Sequence, residues 1–256
     1  MKLAFSQATN DLETLFKEFA DVGYHGLQLK RNQYQPYLNE PQRFLDQHGN
    51  RPGAASALIV GWSQNDEATE YFRKVLAFGA AVGTELIVLC HGAPREGLTS
   101  ADIRTFAKTL SALGMEAKDC GLKLSLHHHV DQPVMHREDF SVFFDAVEEL
   151  AVGLTVDTAH LVKSGIDDIA GLIRDTRSFI DNFHMKDLSD GDFKVLGNGA
   201  IGFAPVFAAI RDIGYDGWIS ADEESGADVI SAMDQCFRFL SDGLLSGRTM
   251  QWDQSH

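Results

Sequence analysis

Three consecutive histidines, His127, His128 and His129, are the residues of this chain best suited to chemistry. They end an alternating segment, and successive side chains of a β-strand point to opposite faces. Leu124 and Leu126 would therefore face away from His127 and His129. Imidazole is the commonest side-chain ligand of metal ions. Taken alone, the segment also fits a solvated loop or buried, hydrogen-bonded imidazoles, so the metal interpretation depends on other residues.

Metal-competent side chains also end the three strand-like segments that follow. They are Asp157, with His160 about one turn later; His184, followed by Lys186 and Asp187; and Asp222, followed by Glu223 and Glu224. Each has a plain structural alternative, because Asp157 could cap a helix, Asp187 could be a turn residue and the acidic end could be solvated. Four such ends in succession favour a shared site.

The alternation places His127, Asp157, His184 and Asp222 on the polar face of their strands. In a closed barrel the polar faces would point to the axis, where the strand tips converge. Two imidazoles and two carboxylates suit Mn²⁺, Co²⁺, Zn²⁺ or Fe²⁺, with Mg²⁺ as a further candidate. The sequence therefore predicts one divalent cation held by these four side chains.

The elements that must position these residues alternate between strand and helix. The predicted strands are Leu3–Ser6, Gly26–Lys30, Ala54–Val60, Leu86–His91, Leu122–His127, Gly153–Asp157, Ile180–Met185 and Trp218–Asp222. The clearest helical patterns are Asp11–Val22, Glu67–Val82, Thr99–Cys120 and Val206–Ile213. Eight strands in about 250 residues predict an α/β protein with a single-domain (β/α)8 TIM barrel. An open doubly wound sheet is disfavoured because no glycine-rich loop follows the first strand. The barrel would occupy residues 1–245, and residues 246–256 form a polar tail.

The charge and cysteine content exclude several classes of protein. A net charge of -15, from 37 acidic and 22 basic residues, disfavours a nucleic-acid partner and an anionic membrane surface. Three cysteines without a CxxC pair favour a reducing cytoplasm, and we expect neither a signal peptide nor a membrane helix. Trp252, isolated in the polar tail, suggests a contact in a homodimer.

Four motifs resemble those of the xylose-isomerase-like TIM-barrel superfamily, which includes sugar isomerases, ketose 3-epimerases, hydroxypyruvate isomerases, inosose dehydratases and endonuclease IV. They are Val156–His160 (VDTAH), Phe183–Asp187 (FHMKD), Gly197–Phe203 (GNGAIGF) and Gly214–Trp218 (GYDGW). The resemblance implies metal ligands at Asp157 and His184. His127 and Asp222 stand where the superfamily usually has glutamates, which are the opposed bases of its epimerases. The triple histidine is similar to the inosose dehydratase branch, although Val130-Asp131-Gln132 replaces the Met-Gly-Thr that often follows there.

The expected activity is removal of a proton next to the carbonyl of a sugar or polyol, with a divalent cation polarising that carbonyl. An inosose-dehydratase-like enzyme or a sugar isomerase is the leading interpretation. A ketose 3-epimerase, a hydroxypyruvate isomerase and a non-catalytic sugar-binding barrel are the alternatives. The expected catalytic residues are Asp222, Glu224 and Lys186 as bases, and His160 or His128 as acid. Substrate contacts are expected from His128, His129, Lys30, His91 and Trp62.

Overall fold

The structure, a computed structural model, is a closed barrel of eight parallel strands and describes residues 1–91 and 93–245. Around the barrel the strand order is β1-β10-β7-β6-β5-β4-β3-β2. The barrel strands are β1 (Lys2–Gln7), β2 (Gly26–Leu29), β3 (Ala57–Trp62), β4 (Leu86–His91), β5 (Lys123–His127), β6 (Gly153–Asp157), β7 (Ile180–Met185) and β10 (Trp218–Glu223). The predicted TIM barrel is confirmed.

Helices follow the strands and cover the outside of the barrel. They are α1 (Leu12–Val22), α2 (Arg31–Tyr34), α3 (Pro41–His48), α4 (Asp66–Val82), α5 (Ser100–Asp119), α6 (Arg137–Phe144), α7 (Thr158–Lys163), α8 (Ile169–Asp175), α9 (Phe203–Asp212) and α10 (Val229–Leu245), with a 3₁₀ turn at Gln35–Tyr37. No described helix combines the length and apolar character needed to cross a bilayer.

Most predicted boundaries agree with the structure within two residues, and the starts of α9 and β3 each differ by three. Helix α9 begins at Phe203, ahead of Pro205, because proline is tolerated in a first turn where its missing N–H is not needed. Strand β3 begins three residues later than predicted and extends to Trp62. Trp62 therefore belongs to the strand itself, on the same parity as Leu58 and Val60.

The barrel interior divides into an apolar part and a polar part. The apolar part contains Ala57, Leu86 and Val88, with Ile59 packed against them. The polar part contains buried Gln28, Ser125, Thr155 and Asn182. The alternate residues of the same strands, such as Leu124 and Leu126, pack outward in the main apolar core. This two-sided pattern is what directs the polar strand tips inward.

A short β-hairpin that the sequence analysis missed follows β7. Its strands are β8 (Asp187–Ser189) and β9 (Asp192–Lys194), which pair antiparallel. The two turn residues Asp190 and Gly191 both have positive φ, 55° and 85°. An Asp-Gly pair is a strong signal for a two-residue hairpin turn, so the sequence did carry this information.

Candidate metal and substrate site

Three of the four predicted ligands converge at the carboxyl ends of the strands. One ligand atom each from His127, Asp157 and His184 lies within 4.8 Å of the other two. All three residues are buried, and Asp157 and His184 are register partners across β6 and β7. We refer to these residues as the triad. It lies at the end of the barrel where active sites of this fold occur.

Asp157 uses its two carboxylate oxygens for different tasks. Oδ1 accepts a hydrogen bond from the backbone N–H of His160 at 2.9 Å, which caps helix α7. Oδ2 lies 3.3 Å from His127 Nε2 and 3.3 Å from Lys186 Nζ. Asp157 therefore caps helix α7 through Oδ1 and keeps Oδ2 for the site.

His127 and His184 are suited to bind a cation as neutral imidazoles. Burial lowers the pKa of His127 to about 4, although Asp157 partly opposes this effect. His184 Nε2 lies 2.9 Å from Gln28 Oε1, which can only accept, so Nε2 carries the hydrogen. With the hydrogen on Nε2, His184 Nδ1 keeps its lone pair, and the neighbouring Asp222 Oδ2, 3.3 Å away, is an acceptor that cannot donate to it.

Beside the triad lies a cluster of two lysines and two carboxylates, which we call the lysine–carboxylate cluster. Lys186 Nζ lies 2.9 Å from Asp222 Oδ2 and 3.1 Å from Glu224 Oε2. Lys30 Nζ lies 2.7 Å from Asp222 Oδ1 and 3.0 Å from Glu224 Oε1. Lys186 and Asp222 are 2% exposed, whereas Glu224 is 30% exposed and reachable from solvent.

Asp222, the fourth predicted ligand, belongs to this cluster rather than to the convergent triad. Its Oδ2 lies 3.3 Å from His184 Nδ1, yet both carboxylate oxygens are paired with lysines. Burial alone would raise the pKa of Asp222, but Lys186 and Lys30 outweigh it and hold that pKa well below its usual range. Burial likewise opposes the charge of Lys186, but Asp157, Asp222 and Glu224 raise its pKa well above the usual value. Both groups are therefore charged.

The other two residues of the triple histidine differ in their environments. His128 is 1% exposed, and its Nε2 accepts a hydrogen bond from the backbone N–H of Asp157 at 2.9 Å. Its ring packs edge-on against Phe140, so the structure places it behind Asp157. His129 is partly exposed, donates from Nδ1 to its neighbour's carbonyl and lies 3.7 Å from His160 between ring centroids.

His160 lies beside the triad, with its ring centroid 5.6 Å from that of His127. Burial lowers the pKa of His160 to about 2, so its imidazole is neutral. A donated proton would have to come from a neutral ring N–H rather than from an imidazolium. The structure thus brings His160 and His129 close to the triad, whereas His128 lies behind Asp157.

The three remaining predicted contact residues have different outcomes. Lys30 follows β2 on the same parity as the inward-facing Gln28, and its side chain reaches the cluster. Trp62 is 3% exposed and packs in the apolar core between the barrel and its helices. His91 ends β4, but its side chain lies outside the described part of the chain, as do Gly92 and the tail that carries Trp252.

Three residues near the site were not predicted from the sequence. Phe193 of the hairpin contacts His160, with ring centroids 5.7 Å apart, and Lys186 Nζ lies 4.9 Å from its ring centre. Gln28 orients His184. Cys90 shares the inward parity of Val88 and so faces the barrel interior. Burial raises the pKa of its thiol to about 12, so Cys90 is neutral.

The donor set fits a divalent cation. Two imidazoles and one ionised carboxylate converge, burial holds the His127 imidazole neutral, and no donor faces the buried His184 Nδ1 among the described residues. The nearby charges are three carboxylates (Asp157, Asp222, Glu224) and two ammonium groups (Lys30, Lys186), a sum of -3 + 2 = -1. A divalent cation would change this local charge to +1. The site would then favour negative charge on a bound molecule.

Comparisons with known proteins agree with the fold. The sequence pattern of the xylose isomerase-like TIM-barrel family matches residues 16–240. The inosose dehydratase of Lacticaseibacillus casei is 26% identical over 245 residues, covering 83% of this chain and 82% of that protein. The solved structure of the IOLI protein with a bound zinc atom has a TM-score of 0.78 at 19% identity, covering 98% of this chain and all of that one. L-ribulose 3-epimerase has a TM-score of 0.80 at 18% identity, covering 99% of each chain.

Proposed function

Because the chain belongs to the xylose isomerase-like TIM-barrel family, we propose that it is a metal-dependent enzyme that removes a proton next to the carbonyl of a sugar or polyol. The observation that carries this proposal is the triad with a charged lysine 3.3 Å from its carboxylate. Similarity to inosose dehydratases favours a dehydratase, with a sugar isomerase as the close alternative.

His127, Asp157 and His184 would hold the cation, and Asp222 lies beside His184 with both oxygens paired to lysines. A divalent cation bound there would polarise the substrate carbonyl and so acidify the neighbouring C–H. Metal analysis of untagged protein would identify this cation among Mn²⁺, Co²⁺, Zn²⁺, Fe²⁺ and Mg²⁺.

Glu224 is the proposed proton acceptor, since it is the carboxylate of the cluster that a molecule from solvent can reach. Asp222 is buried with both oxygens paired, which suits an anchor for the two lysines better than a base. Lys186, held as an ammonium, would stabilise negative charge that develops on the substrate oxygen. His160 and His129, whose tilted rings lie 3.7 Å apart between centroids, are the proposed donors to a leaving hydroxyl.

The site is one-sided, which favours dehydration or isomerisation over symmetric epimerisation. Lys30, Lys186, Asp222 and Glu224 form one charged side, whereas neutral His127 stands where the superfamily's epimerases have an opposed glutamate. A base on one face can abstract and return a proton on that face only. A ketose 3-epimerase would need a second base. Cytoplasmic location and homodimeric assembly stay predictions.

The test is a panel of ketoses, inososes and hydroxypyruvate incubated in D₂O with Mn²⁺ or Co²⁺ and followed by NMR. We expect C–H exchange with at least one substrate, together with loss of water for a dehydratase. Glu224→Gln should slow the exchange by about 10²–10⁴-fold and leave cation binding intact. Cation binding without exchange on any member of the panel would contradict the enzyme and favour a sugar-binding barrel.

A further inference from the structure

A continuous chain of polar side chains, buried except for the partly exposed Asp181, runs inside the barrel toward His184. Its members in order are Asp181, Ser125, Thr155, Asn182, Gln28 and His184. Ser125 Oγ lies 2.6 Å from both Asp181 Oδ1 and Thr155 Oγ1. Asn182 Nδ2 lies 3.3 Å from Thr155 Oγ1, and the Asn182 and Gln28 amides pair reciprocally at 2.8 and 3.1 Å.

Asp181 reaches this chain through an irregularity of the sheet. The β6–β7 register passes from Leu154 opposite Ile180 to Thr155 opposite Asn182, so Asp181 has no partner on β6. A β-bulge of this kind redirects a side chain. Gly153 leaves the necessary room, because a Cβ at that position would overlap the Asp181 carboxylate.

When Asp181 is ionised, the hydrogen bonds along the chain can run in a single direction. A carboxylate only accepts, and each hydroxyl has a single hydrogen. Ser125 therefore donates to Asp181 and must accept from Thr155. Thr155, its hydrogen used, must accept from the Asn182 amide nitrogen.

The same logic fixes the two amides and then the imidazole. With its nitrogen toward Thr155, Asn182 presents its oxygen to Gln28 Nε2. Gln28 then presents Oε1 to His184, whose Nε2 must carry the hydrogen. The remaining ring nitrogen, Nδ1, is left with its lone pair in the triad.

We infer that Asp181, Ser125 and Thr155 are positioning residues that set the tautomer of His184 from inside the barrel and keep its Nδ1 available for a cation. The inference rests on the proposed function only through the ligand role of His184. None of the three residues belongs to the triad or to the lysine–carboxylate cluster.

The first test compares Thr155→Val, which removes the hydroxyl at nearly constant shape, with Thr155→Ser, which keeps it. The ring ¹⁵N signals are read on metal-free protein at alkaline pH, above the pKa of about 7 to which burial raises Asp181. The His184 signals are identified by their loss in His184→Gln. We expect only the Nε2–H form in the wild type and Thr155→Ser, and a mixture with the Nδ1–H form in Thr155→Val.

A second variant restores the tautomer without the chain. Gln28→Glu in the Thr155→Val background places an acceptor-only carboxylate at His184 Nε2, so the Nε2–H form should return. The affinity of Thr155→Val for Co²⁺, titrated without substrate, should fall in proportion to the fraction of His184 that keeps the Nε2–H form, which is twofold for an equal mixture. The affinity should recover in the double variant. Ser125→Ala interrupts the chain one step earlier and carries the same expectation if Thr155→Val does not fold.

An unmixed Nε2–H form in both Thr155→Val and Ser125→Ala would overturn the inference, as would a mixed form in the wild type. Neither readout involves a substrate. Absence of turnover would therefore contradict the proposed enzymatic function but would not affect the tautomer result. A mixed tautomer in a wild type that turns over substrate would overturn this inference and leave the proposed enzyme intact.

Discussion

Replacing Lys186 with methionine should destabilise the metal-free protein strongly, because its ammonium neutralises carboxylates that are almost fully buried. Nζ lies 3.3 Å from Asp157 Oδ2, 2.9 Å from Asp222 Oδ2 and 3.1 Å from Glu224 Oε2, and Asp157 and Asp222 are 0% and 2% exposed. Methionine keeps an unbranched side chain and removes the charge. The local charge then falls from -1 to -2.

Removing one partner of a buried ion pair costs about 3–5 kcal/mol because it leaves an uncompensated buried charge. At about 2–4 °C per kcal/mol for a domain of this size, the unfolding midpoint should fall by about 6–20 °C. Lys194→Met is the matched control, since Lys194 is 37% exposed and faces Asp192 at 3.7 Å. An exposed pair of this kind contributes at most about 1 kcal/mol.

A divalent cation should reverse the stability loss but not the loss of activity. The cation supplies the positive charge that the variant lacks, so Lys186→Met should bind Mn²⁺ more tightly than the wild type and regain most of its midpoint. Turnover should stay low because the ammonium next to the substrate oxygen is gone. Thermal unfolding with EDTA and with Mn²⁺ measures the first effect, and NMR exchange measures the second. A metal-free midpoint equal to that of Lys194→Met would refute the reasoning.

Three further predictions follow from the same geometry. Asp168→Ala removes an exposed helix cap and should cost about 0.5–2 kcal/mol. Asp157→Ala removes a cap and also a buried partner of Lys186, so it should cost at least as much, and it alone should abolish cation binding in a titration. Equal affinities in the two variants would contradict the triad. The wild type should gain about 2.7 kcal/mol of unfolding free energy at a Mn²⁺ concentration 100 times the dissociation constant, whereas Asp157→Ala gains nothing. Burial lowers the pKa of His128 to about 3, below its value of about 6.5 in an unfolded chain. The unfolded state therefore binds more protons, so metal-free stability should fall as pH decreases from 6.5 toward 3. His128→Gln should flatten this slope by up to about 1.4 kcal/mol per pH unit, and an unchanged slope in urea unfolding would refute the assignment.

The alternation of side chains along the strands determined most of what could be predicted about the site. His127, Asp157 and His184 are inward-facing because their strands carry apolar residues at the alternate positions, and a closed barrel brings inward tips together. The same local information located the strand ends. The Asp190-Gly191 pair is an equally local signal, and it marks the turn of the β8–β9 hairpin.

Tertiary structure alone decided which partners surround these residues. Lys30 reaches Asp222 across 192 positions of sequence, and together with Lys186 it occupies both oxygens of Asp222. The bulge that admits Asp181 arises from the register between β6 and β7, and no local pattern marks it. His128 illustrates the same limit, because its sequence neighbours suggested a substrate contact while packing assigned it to the backbone of Asp157. Local sequence fixes which face a side chain takes, whereas the closure of the barrel determines which distant groups share that face.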